Sequence, residues 1–446
     1  MLSRPTAACP NRPTSIRANT DNSFSVAIIG AGIAGIATAY YLCTEYKTTS
    51  VLLIDHRQPM SYTSAQSGDN YRNWWPHQTM TAFSNDSIDL MERLARDSDN
   101  VFNMTHRGYV LATRRKSVDG LLSTLQSGTD VDIVSGRQQI RSAFPALGED
   151  VRHAIHIKRG GDISGQQLGA LMLERIRGNG ASLCHGEVTR VTKNGSFSLQ
   201  VKTASETKTL QADILVNAAG PFVQIIAAML GAKLPVRNIY QQKIAFQDKL
   251  AAIPRDMPFS IDLDRKSLGW TEEEREMLGN DPELAWLAGV MPAGTHCRPD
   301  GSARGQWVKL GWAYNEKASE PQRDLANEPA IDPQFPEIVI RGAAALLPSL
   351  KPYVNAPPAR FAHYGGYYTM TEENWPLIGP MAPESSFVVG ALSGFGSMSA
   401  CAAGRLCAAW VCGGERPDYA SELSLARYED PALIQKLQGT SDKGLL

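Results

Sequence analysis

The residues whose spacing most clearly indicates chemistry are three glycines and one acid near the start of the chain. The motif at residues 30–35 reads Gly-Ala-Gly-Ile-Ala-Gly, and Asp55 follows 20 residues after its last glycine. Gly30 suits a tight turn, Gly32 lets backbone N–H groups approach a pyrophosphate, and Gly35 lets a helix pack against a strand. Asp55 can accept hydrogen bonds from a ribose, so the motif predicts a dinucleotide site.

The elements that must position these residues are present around them. An apolar β-type run at residues 25–29 precedes the glycines, and a helical stretch at residues 36–45 follows them. A second apolar run, residues 51–54, ends at Asp55. The motif requires a strand, a glycine turn, a helix, a second strand and an acid in this order, and all five occur here within about 30 residues. The positive end of the helix then faces the phosphates.

The rest of the chain predicts an α/β fold without repeats or low-complexity linkers. In chain order, the other predicted elements are a helix at 168–179, strands at 182–191 and 196–203, a buried strand at 214–217 running into Gly220, a helix at 272–278, a strand at 388–389 and a small-residue helix at 399–411. A nucleotide site at the start and a strand–glycine–helix unit at the end predict one Rossmann-type domain built from separated pieces. The intervening segments would form a second domain.

Composition excludes several classes of protein. The chain has 446 residues, with 44 basic and 45 acidic side chains and a net charge of −1. Nucleic-acid binders depend on clustered Lys and Arg, so no nucleic-acid partner is expected. Hydrophobic residues make up 43% of the chain, enough for full cores. No stretch is typical of a transmembrane helix, and we expect no membrane association.

Cysteine usage indicates a reducing compartment. The seven cysteines are odd in number and include no CxxC pair, which argues against a disulfide scaffold and a structural zinc site. We therefore expect a cytoplasmic protein without a metal. Residues 1–23 are expected to form a disordered tail. The first 20 residues contain three arginines and no acid, which resembles a transit peptide, but three prolines there disfavour an amphipathic helix.

Four further motifs follow the glycine motif in order. They are residues 64–72 (Ser-Ala-Gln-Ser-Gly-Asp-Asn-Tyr-Arg), residues 161–164 (Gly-Asp-Ile-Ser) with the helix after them and Val188, residues 217–222 (Asn-Ala-Ala-Gly-Pro-Phe), and residues 376–379 (Pro-Leu-Ile-Gly) with 393–396 (Ser-Gly-Phe-Gly). Together the five resemble the FAD-dependent amine and amino-acid oxidases, a family that includes D-amino acid oxidase, glycine oxidase and monomeric sarcosine oxidase. The resemblance covers roughly residues 24–415.

The resemblance implies a domain plan and a cofactor. It implies a Rossmann-type FAD-binding domain at residues 24–88, 152–231 and 361–446. Interleaved with it would be a substrate-binding domain at 89–151 and 232–360, built on a mixed or antiparallel β-sheet. The residues expected to bind FAD are Gly30, Gly32, Ile33, Ala34, Gly35, Asp55, His56, Arg57, Ser64, Ser67, Gly68, Val188, Ala219, Gly220, Gly394, Phe395, Gly396, Ser397 and Met398.

Two departures from the family pattern are informative. Sarcosine oxidases bind FAD covalently through a cysteine two residues before a Tyr-Thr pair, and here Gly366 stands two residues before Tyr368. We therefore expect non-covalent FAD. The family lysine for the substrate carboxylate is replaced by Met398, so substrates without a short carboxylate are expected. Arg72 is the residue that could restore the charge.

One strand resembles the sarcosine oxidases closely. Residues 306–312 (Gln-Trp-Val-Lys-Leu-Gly-Trp) are similar to the strand whose lysine faces the flavin and activates oxygen. The resemblance implies that Lys309 is catalytic, because a fixed cation stabilises the anion that forms when oxygen accepts an electron. The alternative interpretation is a strand lysine that points to solvent.

Several other side chains could form the substrate pocket. The residues expected there are Arg72, Trp74, Tyr240, Trp312 and Tyr368. The alternative for each aromatic residue is an ordinary core position. An aromatic pocket without the carboxylate lysine suits a bulky or cationic amine. We expect His296 to be a surface histidine rather than a pocket residue.

The implied reaction is the oxidation of a secondary or tertiary amine, or of an amino-acid derivative, to an imine. The flavin accepts the hydride and O₂ is reduced to H₂O₂. One alternative is a dehydrogenase that passes electrons to a quinone or a protein acceptor. A second alternative is a flavin-binding protein without turnover. The sequence does not name the amine, because in this chemistry the cofactor supplies the reactivity and the protein supplies position and electrostatics.

Overall fold

The computed structural model describes residues 22–119, 130–301, 305–323 and 331–438. Nearly all of the predicted tail, residues 1–21, lies outside this part of the chain. Two large β-sheets dominate the fold, with eight strands in each. The predicted fold class, an α/β fold with a Rossmann-type unit and a second mixed sheet, is confirmed.

The elements are numbered in chain order. The strands are β1 Ser23–Ile29, β2 Val51–Asp55, β3 Asn70–Arg72, β4 Tyr109–Thr113, β5 Val131–Ser135, β6 His153–Ile157, β7 Gly160–Asp162, β8 Ala181–His185, β9 Glu187–Asn194, β10 Ser196–Lys202, β11 Thr207–Asn217, β12 Arg237–Gln247, β13 Phe259–Asp262, β14 Lys266–Ser267, β15 Val290–Met291, β16 His296–Asp300, β17 Trp307–Gly311, β18 Phe361–Met370, β19 Leu377–Met381 and β20 Ser386–Gly390. The α-helices are α1 Ile33–Thr44, α2 Gln78–Arg96, α3 Arg137–Ala143, α4 Gly165–Arg177, α5 Val223–Met229, α6 Glu272–Asn280, α7 Phe335–Leu346, α8 Lys351–Asn355, α9 Gly396–Cys412 and α10 Pro431–Gln438.

The first sheet holds the predicted nucleotide unit. Its strand order is β19-β20-β11-β1-β2-β8, with β10 paired antiparallel to β11 and β9 paired antiparallel to β10. Strands β11, β1, β2 and β8 run parallel, so their carboxyl ends meet at one edge, where ligands of such sheets bind. The apolar residues of β1 and β2 are buried on both faces, as expected for central parallel strands.

Helices α1 and α9 pack together over this sheet. Their contact is close because Gly404 faces α1, and a Cβ there would lie 2.5 Å from the carbonyl carbon of Ala37. The small residues predicted for the helix at 399–411 therefore have a packing role. That helix and α1 are confirmed, with observed starts at Gly396 and Ile33.

The second sheet has the order β18-β12-β17-β16-β13-β4-β6-β5. Only the β13–β4 pair within it is parallel, so this sheet is mixed and mainly antiparallel. Helix α7 packs against β12 and β17 and covers one face. We call this the helix face, and we call the opposite face the inner face.

The strand assignments refine two expectations. The predicted strand at 182–191 is two strands, β8 and β9, which join different parts of the first sheet. The predicted domain division stays a prediction. Strands β6 and β18 pair within the second sheet, although their residues fall in segments predicted for the FAD domain.

Among the described residues, no helix combines the length and the apolar character needed to cross a bilayer.

Candidate cofactor and active site

The glycine turn after β1 is held by close contacts that exclude side chains. Gly30 has a φ of +112°, and a Cβ on it would lie 2.3 Å from the carbonyl oxygen of Ala218 at the end of β11. A Cβ on Gly35 would lie 2.0 Å from the carbonyl oxygen of Gly30. Both positions therefore require glycine, and the start of α1 is held against the carboxyl ends of two parallel strands. Gly35 has the packing role expected from the sequence.

Asp55 is held at the edge of this turn. Its Oδ2 accepts a hydrogen bond from the Ala31 N–H at 2.8 Å, and its Oδ1 accepts one from the Arg57 N–H at 2.9 Å. At the start of α1, the Ile33 N–H donates to the Ser64 hydroxyl at 3.0 Å. Carboxylate, hydroxyl and helix N–H groups are thus gathered at the end of the sheet where a dinucleotide would lie.

Two clefts adjoin this turn. The first spans about 870 Å³, part of it open to solvent, and is bordered by Asp55, Val188 and Phe222. The second spans about 770 Å³, part of it open to solvent, and is bordered by Ser67, Tyr368 and other residues. Both clefts are lined by Gly32, Thr63, Ser64, Ala218, Gly220 and Pro221. They therefore form one continuous groove that passes the start of α1.

Sixteen of the nineteen residues predicted to bind FAD line this groove. In the first cleft these are Gly30, Gly32, Asp55, His56, Arg57, Ser64, Val188, Ala219 and Gly220. The second cleft has Gly32, Ile33, Ala34, Ser64, Ser67, Gly68, Gly220, Gly394, Gly396 and Ser397. The groove thus fits an extended dinucleotide, with a carboxylate for the ribose at one end and the start of α9 at the other.

Three predicted residues do not line either cleft. Gly35 packs inside the turn, as described above. Phe395 is 1% exposed, and its ring lies 5.1 Å from the Trp75 ring. Met398 is buried in α9, and its carbonyl oxygen accepts a hydrogen bond from Ser87. Their surroundings favour packing roles rather than direct contact with a cofactor.

The inner face of the second sheet brings together basic side chains from three strands. In one cross-strand row, Gly311 of β17 pairs with Lys243 of β12 on one side and with His296 of β16 on the other. In the next row on the same face, Lys309 pairs with Ala245 and with Arg298. Because Gly311 has no side chain, the His296 ring can lie over it, in the space that a Cβ on Gly311 would need.

Lys309 does not point to solvent. Its side chain is 15% exposed, and its Nζ lies 3.4 Å from Asp300 Oδ1. Burial and the nearby Arg298 lower the pKa of Lys309, while Asp300 and Asp69 oppose that shift. The solvent-facing alternative is therefore wrong, and the catalytic role of Lys309 stays a prediction.

Arg298 ties the inner face to the cofactor groove. Its guanidinium donates to the Gly68 carbonyl through Nη2 at 2.9 Å and Nε at 3.2 Å. Its Nη1 lies 2.8 Å from Asp300 and 3.6 Å from Asp162. Gly68 lines the second cleft, so this contact holds the wall of the cleft against β16.

Asp69 adds a carboxylate between the two sheets. It accepts a hydrogen bond from the Ser397 hydroxyl at 3.2 Å, at the start of α9. Burial raises the pKa of Asp69, while the charges of Lys309 and Arg298 oppose that shift. The carboxylates of Asp69 and Asp300 therefore both favour the charged form of Lys309 and raise its pKa.

His296 is a partly buried residue of the inner face, so the expectation of a surface histidine is wrong. Its Nδ1 lies 2.9 Å from the Gly294 carbonyl, which can only accept a hydrogen bond. Nδ1 therefore carries the proton, and Nε2 presents a lone pair. Nε2 points towards Gly311, where a Cβ would lie 2.3 Å away. Burial lowers the pKa of His296 to about 4.

Two residues predicted for the substrate pocket lie on the helix face instead. Trp312 is 1% exposed, packs against Gly342 of α7 and donates to the Ala293 carbonyl at 3.2 Å. Tyr240 pairs with Tyr367, and its ring fills the space over Gly365. Strand alternation places both away from the inner face. A substrate-binding role is therefore not favoured for either residue.

Of the other three predicted pocket residues, all in the described part of the chain, one lines the groove and two are buried among aromatic side chains. Tyr368 lines the second cleft, and its ring occupies the space that a Cβ on Gly394 would need. Arg72 is fully buried, with its guanidinium carbon 4.6 Å from the Trp75 ring centroid and 4.9 Å from that of Tyr109. Trp74 belongs to a core cluster with Tyr109. For Trp74, the alternative of an ordinary core position fits better.

Sequence reasoning missed Lys243, Arg298 and Asp69. Lys243 is the only charged residue in the middle of β12, whose other charge is Arg237 at its first position, and this was a usable signal. Asp69 lies inside the recognised motif at 64–72 but received no role. Arg298 had no local signal, because its partners Gly68 and Asp162 are more than a hundred residues away in sequence.

Comparison with known proteins agrees with this geometry. Residues 25–410 match the DAO family of FAD dependent oxidoreductases, and the chain belongs to that family. The predicted family is confirmed. Among curated relatives, the sarcosine oxidase subunit beta of Arthrobacter sp. is 24% identical over 51% of this chain and 59% of its own length. The peroxisomal sarcosine oxidase of Mus musculus is 26% identical over 48% of this chain and 54% of its own length. The chain thus spans little more than half the length of these relatives.

Solved structures share the whole fold at low identity. L-proline dehydrogenase from P. horikoshii is 18% identical with a TM-score of 0.72, covering 92% of this chain and 98% of that chain. Glycine oxidase from Geobacillus kaustophilus is 17% identical with a TM-score of 0.71, covering 91% of this chain and 99% of that chain. These similarities show the fold and, with the family match, an FAD-dependent oxidoreductase.

The state of His296 predicts a pH-dependent stability. The folded protein keeps the ring neutral down to pH about 4, whereas the unfolded chain protonates it below about pH 6.5. The neutral ring therefore contributes to the free energy of unfolding. This contribution is fully present above pH 6.5 and decreases as the pH falls towards 4, with about 2 kcal/mol lost by pH 5. We expect His296→Asn, which keeps an amide donor for Gly294, to lose less thermal stability between pH 7 and pH 5 than the wild type.

The matched control is His185→Asn, because His185 is exposed on β8. It should show the same decrease in melting temperature between the two pH values as the wild type. Equal decreases in the wild type and in His296→Asn would contradict the assignment.

Proposed function

We propose that this protein is an FAD-dependent oxidase of a secondary or tertiary amine or an amino-acid derivative. The reaction oxidises the C–N single bond and reduces O₂ to H₂O₂. A secondary amine loses two electrons and two protons and becomes an imine; a tertiary amine loses a hydride and becomes an iminium ion, and the second proton of H₂O₂ comes from solvent. FAD, when bound, supplies the hydride acceptor and the electron donor to oxygen. The observation that carries the proposal is Lys309, a partly buried lysine on the inner face whose strand resembles the oxygen-activating strand of sarcosine oxidases.

The chain's own residues have separable tasks in this proposal. The glycine turn and Asp55 bind the adenosine half of FAD, and the start of α9 lies at its other end. Arg298 and Asp300 hold Lys309 in place. The aromatic ring of Tyr368, which lines the second cleft, is available to position an amine. The odd cysteine count without CxxC pairs favours the cytoplasm as the compartment.

The direct test is anaerobic mixing of the FAD-loaded protein with a panel of secondary and tertiary amines and amino-acid derivatives. At least one compound should bleach the flavin absorbance, and oxygen should then restore it with release of one H₂O₂ per flavin. Bleaching that only a quinone reverses would indicate the dehydrogenase alternative. If no compound in the panel bleaches the flavin, the non-turnover alternative is favoured.

We expect FAD to be bound without a covalent bond. Gly366 occupies the attachment position of sarcosine oxidases and lines the second cleft. Among the described residues that line the two clefts, none is a cysteine. Acid precipitation should leave a colourless pellet and a yellow supernatant, and a yellow pellet would refute this expectation.

Lys309→Met should slow flavin reoxidation by oxygen by roughly 10²–10³-fold, because a fixed charge beside a developing anion is removed. Anaerobic reduction by the amine should change much less. In the wild type, reoxidation should also slow as the pH rises through the lowered pKa of Lys309. The measurement is stopped-flow absorbance of each half-reaction.

Two results would argue against this role for Lys309. Equal losses in both half-reactions would indicate a substrate or folding role. No change in either would remove the main support for the oxidase. Lys317→Met, at an exposed position, is the control and should react with oxygen as the wild type does.

A further inference from the structure

Lys243 is a buried cation whose charge the protein leaves largely uncompensated. The residue is 6% exposed, in the middle of β12. Its ammonium donates to the Tyr368 hydroxyl at 3.4 Å and lies 5.2 Å from the centroid of the same ring. Within the described residues, no carboxylate comes within ion-pair distance of it. A buried charge without a counter-charge is costly, so such a group is usually paired when the site is filled.

The other two cations of the inner face are different. Lys309 lies beside Asp300, and Arg298 contacts both Asp300 and Asp162. Lys309 and Arg298 are therefore internally balanced. Lys243 has the hydroxyl of Tyr368, which can accept a hydrogen bond but carries no negative charge at neutral pH.

The position of Lys243 indicates where an anion would bind. Lys243 lines the second cleft together with Tyr368, Gly366 and Ser397. Its Cε would lie 3.7 Å from a Cβ on Gly68, so the side chain reaches the opposite wall of the cleft. His296 lies across Gly311 from Lys243, with its ring packed over Gly311, and it is not among the residues that line the cleft. The cleft thus offers the Lys243 ammonium as a donor.

We propose that Lys243 binds the carboxylate of an amine substrate, which makes the substrate an amino acid or an N-substituted derivative of one. This role rests on the proposed function and replaces the expectation that carboxylates would bind weakly because of Met398. Met398 is buried in α9 away from the cleft, so its identity does not decide whether a carboxylate can bind. The anchor comes from β12 instead of from the start of α9.

The test uses ligand binding and requires no turnover. The oxidised FAD-loaded protein is titrated with benzoate and acetate, and with benzamide and acetamide as uncharged analogues, while the flavin absorbance is recorded. The carboxylates should perturb the spectrum saturably, and the amides should not at the same concentrations. Lys243→Met should weaken carboxylate binding by roughly 10–100-fold, the range expected for a charged hydrogen bond.

Three further variants complete the design. Lys249→Met, at an exposed position just after β12, should bind the carboxylates as the wild type does. Lys243→Arg should retain part of the affinity, because it preserves the charge. Lys243→Gln keeps a polar side chain and gives a second measurement if Lys243→Met does not retain FAD.

Several outcomes would overturn the proposal. One is wild-type affinity in both Lys243→Met and Lys243→Gln. Others are equal perturbation by amides and carboxylates, or no carboxylate binding to the wild type. Slower reoxidation of Lys243→Met with unchanged benzoate affinity would assign the charge to oxygen and would also overturn it. Loss of turnover on every amine, with Lys243-dependent benzoate binding intact, would refute the proposed oxidase and leave the anion site standing.

Discussion

The contact on which the arrangement of the site depends is that of Arg298 with the Gly68 carbonyl, Asp300 and Asp162. A guanidinium that is 4% exposed must be surrounded by acceptors, and here they come from three separate parts of the chain. Meeting that requirement places β16 against the wall of the second cleft. Asp300, held by Arg298, then determines where the Lys309 ammonium lies. The second sheet is therefore fixed against the cleft wall and against β7 by electrostatic contacts.

Missing side chains shape the site as much as those that are present. At Gly30 and Gly35, backbone atoms approach so closely that a Cβ would collide, and this brings the start of α1 to the ends of the parallel strands. At Gly311, the missing side chain lets the His296 ring lie over the strand. The close backbone approach at Gly30 and Gly35 positions the helix start that would face the phosphates. The glycine at 311 lets the inner face hold a histidine ring next to Lys243.

The charges of the inner face divide into two groups. Lys309 and Arg298 lie in a network with Asp300, Asp69 and Asp162, which fixes them in position. Lys243 has a neutral hydroxyl partner and lines the cleft. Such a division suits a reaction with two halves, in which one cation acts on oxygen and another holds the substrate. The neutral imidazole of His296 adds no charge to this balance at pH 7.

The nucleotide half could be predicted from the sequence because its determinants are local. Gly30, Gly32, Gly35 and Asp55 lie within one strand–helix–strand unit, and the steric reasons for each are the same in every fold that uses the unit. The inner face could not be predicted in this way. Strand register decides whether Trp312 or Lys309 lies on the inner face, because a shift of one residue moves every side chain to the opposite face of the sheet. The structure places Lys309 on the inner face, away from solvent, and its position relative to a flavin stays a prediction. The roles of Arg298, Asp69 and Lys243 could not be predicted, because their burial and charge pairing depend on contacts between segments that are far apart in sequence.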